Sequence, residues 1–177
     1  MNKLFCVLVG IGTVVSTYAQ KFTTEKSSIV FFSDAALEDI TASNLKAISI
    51  FDATKGEVAF SVPIKEFEFE KALMKEHFNE KYLESEKFPK ATFQGVFEGY
   101  TVSQGGAQPV TAKGKLTIHG VTREVVIPGT LEFSAGKVVA KAKFIVKLED
   151  YKIKIPQIVW QNIAEEVEVT IEFNYQS

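Results

Sequence analysis

The sequence predicts an all-β fold, an antiparallel barrel of about eight strands with one amphipathic helix packed alongside. Three observations predict it. Nearly every segment after residue 26 alternates apolar and polar residues with period two. One segment, Glu70–Ala91, breaks the alternation and takes helical spacing instead. The apolar faces of the strands also carry small residues, which favours a sheet rolled around space over a tightly filled sandwich.

The N-terminal stretch is expected to lie outside that fold. Lys3 precedes an apolar run of about a dozen residues, Leu4–Val15, and small residues follow at Thr17 and Ala19. This order of charge, apolar core and small residues is that of a secretory signal peptide. A membrane-spanning helix needs roughly 20 apolar residues. Residues 1–19 are therefore expected to be removed, and residues 20–177 to form one β-barrel domain. The only cysteine, Cys6, falls in the leader, so the mature chain is expected to hold no thiol, disulfide or cysteine-based metal site. The expected location is the periplasm, with the extracellular space as second choice.

The strands follow in order. "SSIVFF" near residue 30, "KAISIF" near 48 and "KEFEFE" near 67 are short alternating runs. Gly56–Ile64 puts Val58, Phe60, Val62 and Ile64 on one face, with Pro63 marking a bulge or edge because proline cannot donate to a ladder. Ala91–Tyr100 aligns Phe93, Gly95, Phe97 and Gly99, and Val110–Ile118 aligns Ala112, Gly114, Leu116 and Ile118. Val125–Phe133, Val138–Leu148 and Glu166–Tyr175 complete the set, with Phe133, Phe144, Val146 and Phe173 on their dry faces. One dry and one wet face per strand is the mark of antiparallel sheet. Ser103–Pro109 reads as a hairpin loop. In Glu70–Ala91, Ala72, Leu73, Phe78 and Tyr82 form the helix's apolar stripe, flanked by Met74 and His77. A second short helical piece is expected within Asp34–Asn44.

Composition narrows the function. Lys and Arg total 20 against 22 Asp and Glu, a net charge of −2 with no basic stripe, so nucleic acid is not an expected partner. The chain holds 15 Phe and one Trp, and that aromatic surface must be buried or lent to a ligand. No nucleophile elbow, phosphate loop or H-E-x-x-H motif is present, and no catalytic residue is assigned. Glu66, Glu68 and Glu70 alternate with Phe67 and Phe69 as a solvated strand face. The two histidines are His77 and His119. A zinc site wants three or four clustered ligands, so no metal is assigned. His119-Gly120 suits the centre of a two-residue type I′ hairpin, which needs positive φ at both positions, with the imidazole pointing to solvent.

What remains is the interior. The candidate ligand-binding wall is Phe60, Phe93, Phe97, Leu116, Phe133, Phe144, Val146 and Phe173, with Phe78 on the covering helix. Gly95, Gly99, Ala112, Gly114, Ala140 and Ala142 are expected to leave room between them. Each wall residue can equally be plain core.

Two segments carry a family resemblance. Met74–Gly95, "MKEHFNEKYLESEKFPKATFQG", and Val110–Gly129, "VTAKGKLTIHGVTREVVIPG", resemble the helix and the G-x-L-T-x-x-G-V-T-(K/R) hairpin of the YceI-like family of exported bacterial proteins. Leu148–Pro156 and Ile163–Phe173 resemble its last strands. The resemblance implies a lipocalin-like barrel enclosing a hydrophobic tunnel, in a family whose characterised members bind polyisoprenoid chains. It implies a non-enzymatic carrier or store for an isoprenoid lipid, a quinone or polyprenol, or for another amphiphile. No cofactor beyond that lipid is expected. Transient membrane contact, as a monomer or homodimer, completes the expectation. The alternative is a non-catalytic structural or interaction module with a filled core.

Overall fold

The alternating segments become the strands of a single antiparallel sheet whose two ends join. The computed structural model describes residues 20–34, 39–155 and 164–177. Its strands are β1 (Lys21–Ser33), β2 (Ile40–Asn44), β3 (Ile48–Asp52), β4 (Glu57–Pro63), β5 (Glu68–Phe69), β6 (Lys90–Glu98), β7 (Gly106–Ile118), β8 (Val121–Ser134), β9 (Lys137–Lys147) and β10 (Glu166–Gln176), with one helix, α1 (Ala72–His77). The sheet runs β10-β9-β8-β7-β6-β4-β3-β1, and β10 also pairs with β1, closing a ring of eight strands. Closure leaves that ring without a free edge strand.

β1 divides its outer edge. Lys21–Thr23 pair with Ile50–Asp52 of β3, while Ile29–Ser33 pair with Ile40–Asn44 of β2. β2 in turn pairs with the two residues of β5. The ring thus closes through β3 at one end and gives off a β2–β5 flap at the other. β8 and β9 pair with each other only through Gly129–Ser134 and Lys137–Ala142. Beyond that point the single turn Glu149–Tyr151 lies beside both strands, and Arg123 Nε–H donates to the Asp150 carbonyl at 2.8 Å. Cross-strand pairs Lys141–Glu172, Lys143–Glu168 and Lys147–Glu166 line the wet face of β9 and β10. All are solvent-exposed and contribute little singly.

Several expectations need correction. Ile40–Asn44 is strand, because its alternating residues complete the edge that β1 offers; residues 35–38 of the expected helical piece, and the whole of the leader, lie outside the described residues. "KEFEFE" is not a full strand: Ile64–Glu66 form a 3₁₀ turn after Pro63, leaving only Glu68–Phe69 extended. Gly106–Pro109 belong to β7 rather than a loop. Pro109 is tolerated because β6 ends at Glu98, opposite Thr111, so no β6 residue lies beside it. The helix widens after His77 into a π turn, Phe78–Tyr82, closed by Leu83 N–H to the Phe78 carbonyl at 2.9 Å. Met74, Phe78, Tyr82 and Leu83 line the interior, while Ala72 and Leu73 are exposed.

Candidate functional site

The two ends of the barrel are filled differently. At the end where β1 begins and β10 finishes, Phe51 is fully buried at the centre of an aromatic cluster. Phe22, Phe97, Tyr100, Phe133 and Tyr175 surround it, with ring centroids 5.2–6.5 Å away. Tyr175 and Ser49 share a 2.7 Å hydrogen bond, and the Ser49 hydroxyl also donates to the Ala59 carbonyl at 2.9 Å. Burial pushes the Tyr175 phenol well above its usual range. Such a hydroxyl stays neutral and simply caps the core.

The opposite end holds a cavity of about 260 Å³. Its floor and walls come from Phe60, Val62, Leu116, Phe144, Val146, Val167, Val169 and Ile171. It is covered by Phe31 of β1, by Phe67 and Phe69 at the flap, and by Met74, Phe78 and Tyr82 of the helix and its π turn. Phe31 packs on Phe67, Phe69 and Phe78 at 5.5–5.7 Å, fastening β1, β5 and the helix into one cover. Phe60, Phe78 and Phe144 point inward yet are only half-buried, because they face the void.

Among the described residues that line this cavity, none is Lys, Arg, Asp or Glu. The polar side chains are those of Ser33, His77 and Tyr82. Ser33 accepts the Ala164 N–H at 3.1 Å. Burial raises the Tyr82 phenol above its ordinary value, which keeps it a neutral donor. A cavity of this character binds by exclusion of water from apolar surface, with a few polar groups to orient a ligand. The described residues also contain no group of three or more His, Cys, Asp or Glu placed to hold a metal ion.

The residues read from the sequence distribute over both ends. Phe60, Phe78, Leu116, Phe144 and Val146 line the large cavity. Phe93, Phe97 and Phe173 line a second space of about 40 Å³, which Phe60 and Phe144 also touch. Phe133 lines neither and stacks on Tyr100 at 5.6 Å. The wall residues the periodicity argument passed over include Val167, Val169 and Ile171. They share the dry face of β10 with Phe173, and that shared parity was the available signal. Phe31, Phe67 and Phe69 carried a weaker one, because the short runs around them read as ordinary strand.

The small residues do not vacate the large cavity. Gly95 and Gly114 are cross-strand partners, and a Cβ on either would meet backbone: the Lys113 carbonyl oxygen at 2.2 Å and the Gln94 carbonyl oxygen at 2.3 Å respectively. These glycines permit close strand approach. Ala112, Ala140 and Ala142 line the small space.

The expected hairpin at His119-Gly120 forms, with φ of 51° and 72°. Its imidazole, however, is not in solvent. Nδ1 lies 3.2 Å from the Tyr151 carbonyl and Nε2 lies 2.8 Å from the Glu84 carboxylate, with the ring edge-on to Phe88 at 4.6 Å. The hydrogen bond from His119 holds the Glu84 carboxyl below its ordinary value. His119 thereby ties the loop after the helix, the β7–β8 turn and the Glu149–Tyr151 turn into one rim beside the cavity.

Comparison with known proteins agrees with this architecture. A polyisoprenoid-binding domain from Saccharophagus degradans, implicated in plant cell wall breakdown, superposes with a TM-score of 0.76 at 16% identity, covering 88% of this chain and 98% of that one. BcnA of Burkholderia cenocepacia gives 0.68 at 16% identity, with 84% and 95% covered. The YceI protein of Campylobacter jejuni gives 0.56 at 15% identity, with 100% and 99% covered. At these identities the likeness speaks to the fold alone. No curated protein matches the chain in sequence. The family model of the YceI-like domain matches residues 12–175. With its ring of antiparallel strands and, among the described residues, one short helix, the chain belongs to the YceI-like domain family.

Proposed function

We propose that the protein binds the apolar chain of a neutral isoprenoid lipid, a quinone or polyprenol, and carries or stores it in the periplasm. The observation that carries this reading is the cavity of about 260 Å³ with no charged lining side chain among the described residues. A diphosphate or carboxylate head group drawn inside would meet no cation, and burying it unpaired would be costly. A hydroxyl or carbonyl head group would find Tyr82 and His77. The relative from Saccharophagus degradans, a polyisoprenoid-binding domain, supports the ligand class.

Burial of the chain supplies a driving force of the right order. Each buried methylene contributes about 0.8 kcal/mol, so ten carbons contribute up to roughly 8 kcal/mol. Micromolar affinity needs about 8 kcal/mol, before the entropy cost of association. Loading from a membrane, after export on the N-terminal leader, follows from the ligand's insolubility. The test is solvent extraction and mass spectrometry of protein recovered from the periplasm of an expressing bacterium. The expected result is a stoichiometric neutral isoprenoid and a mature N-terminus at Gln20. Protein that repeatedly comes out empty, and takes up no quinone or prenol when offered, would count against the reading.

A further inference from the structure

The large and small cavities share three lining side chains. Phe60 of β4, Phe144 of β9 and Ile171 of β10 line both spaces. Phe60 is held in place, stacked on Phe93 at 5.2 Å and tilted against Phe173 at 5.6 Å. No ring contact of that kind fixes Phe144 among the described residues, and it is only half-buried. Behind the three lie Ala112, Ala140 and Ala142, whose short side chains border a space of about 40 Å³ that Phe93, Phe97 and Phe173 also line.

Resting on the isoprenoid reading above, we propose that Phe144, backed by Phe60 and Ile171, is a partition that sets how much of a prenyl chain the barrel accepts. A cavity of about 150 Å³ takes one benzene ring. On that scale the 260 Å³ space takes about ten carbons, which is two isoprene units. A longer chain meets the Phe144 ring, and its remaining units stay at the mouth. The small residues beyond the partition are the reserve into which the cavity would lengthen if that ring were trimmed.

The test titrates prenol, geraniol, farnesol and geranylgeraniol against delipidated wild-type protein and Phe144→Ala. In the wild type, affinity rises tenfold or more from prenol to geraniol and less than threefold for each unit after that. In Phe144→Ala the break moves one unit along, giving a tenfold or greater gain from geraniol to farnesol. Adding Ala142→Leu to Phe144→Ala refills the reserve and returns the break to geraniol. Should Phe144→Ala not fold, Phe144→Leu opens part of the same space, with the same direction of shift. A folded Phe144 variant with an unmoved break overturns the partition, as does a wild-type affinity that climbs evenly to geranylgeraniol. Wild-type protein that binds none of the four prenols overturns the isoprenoid reading itself, and the partition with it.

Discussion

Single side chains at the filled end and at the rim set how the fold answers pH. Tyr175 has a folded pKa raised above its unfolded value near 10 by burial. Its contribution to stability is therefore complete below pH 10 and is lost as pH rises from there toward the folded value. Tyr175→Phe removes that alkaline loss. At neutral pH it costs only about 0.5–1.5 kcal/mol, the value of one hydrogen bond, since Ser49 keeps its bond to the Ala59 carbonyl. Urea titrations at pH 7 and above pH 10 measure both effects. Glu84 shows the opposite sign. Its carboxyl is held below the ordinary 4.5 by His119, with Lys87 adding to the effect. That contribution is present above pH 4.5 and is lost as pH falls through the lowered folded value. Glu84→Gln should flatten the acid limb of the stability profile, and a variant with an unchanged limb would remove Glu84 from the account of the rim. Neither role was legible beforehand. The turn at His119-Gly120 follows from local residue preferences, but its partners lie 35 and 32 residues away, and no local spacing encodes them.

At the scale of elements, strand periodicity was the readable signal and cover geometry was not. β6 to β10 are long and alternate cleanly, so their inward faces could be read from parity alone. β2 and β5 are short, and their identity depends on the edge that β1 presents to β2 and β2 in turn to β5. The helix's apolar stripe was misjudged at Ala72 and Leu73: the inward line is Met74, Phe78 and Tyr82, four residues apart, and the two exposed residues lie off it. Glycine in the strands had two readings, spare volume or close backbone approach, and Gly95 opposite Gly114 takes the second. Gly114→Ala should accordingly cost about 2–3 kcal/mol, as overpacking does, since the Gln94 carbonyl and Gly95 Cα would both have to move. Gly105→Ala, with nothing within 4 Å of the added methyl, should stay near wild type. Thermal melts of the two variants give the comparison.

For the molecule as a whole, ligand and fold are coupled by mass action. A ligand bound only to the folded state adds about 2.7 kcal/mol at a hundredfold excess over Kd. For a chain of this length each kcal/mol moves Tm by about 2–4 °C. Delipidated protein should therefore melt roughly 5–10 °C below protein saturated with geraniol or a short-chain quinone. Calorimetry with and without ligand measures it, and equal melting points would mean that the folded state gains nothing from occupancy. The barrel was legible from the alternation of apolar residues; its large cavity was not, because the small residues read as spare room lie at close strand approaches or around the small space. Which end stays vacant was not, because it depends on where Phe51 gathers the aromatic rings.

β1's divided edge has a dynamic consequence. Because Lys21–Thr23 complete the ring through β3, the β2–β5 branch can peel away from Ile29–Ser33 without opening the main cylinder. The vestibule over the void, pinned to β1 through Phe31, is expected to open as a unit of its own at lower cost than the frame. Amide deuteration should run ahead in Ile40–Asn44 and Glu68–Phe69 and lag in the β7–β8 hairpin. A greasy passenger could then slip in sideways, with the cylinder behind it intact.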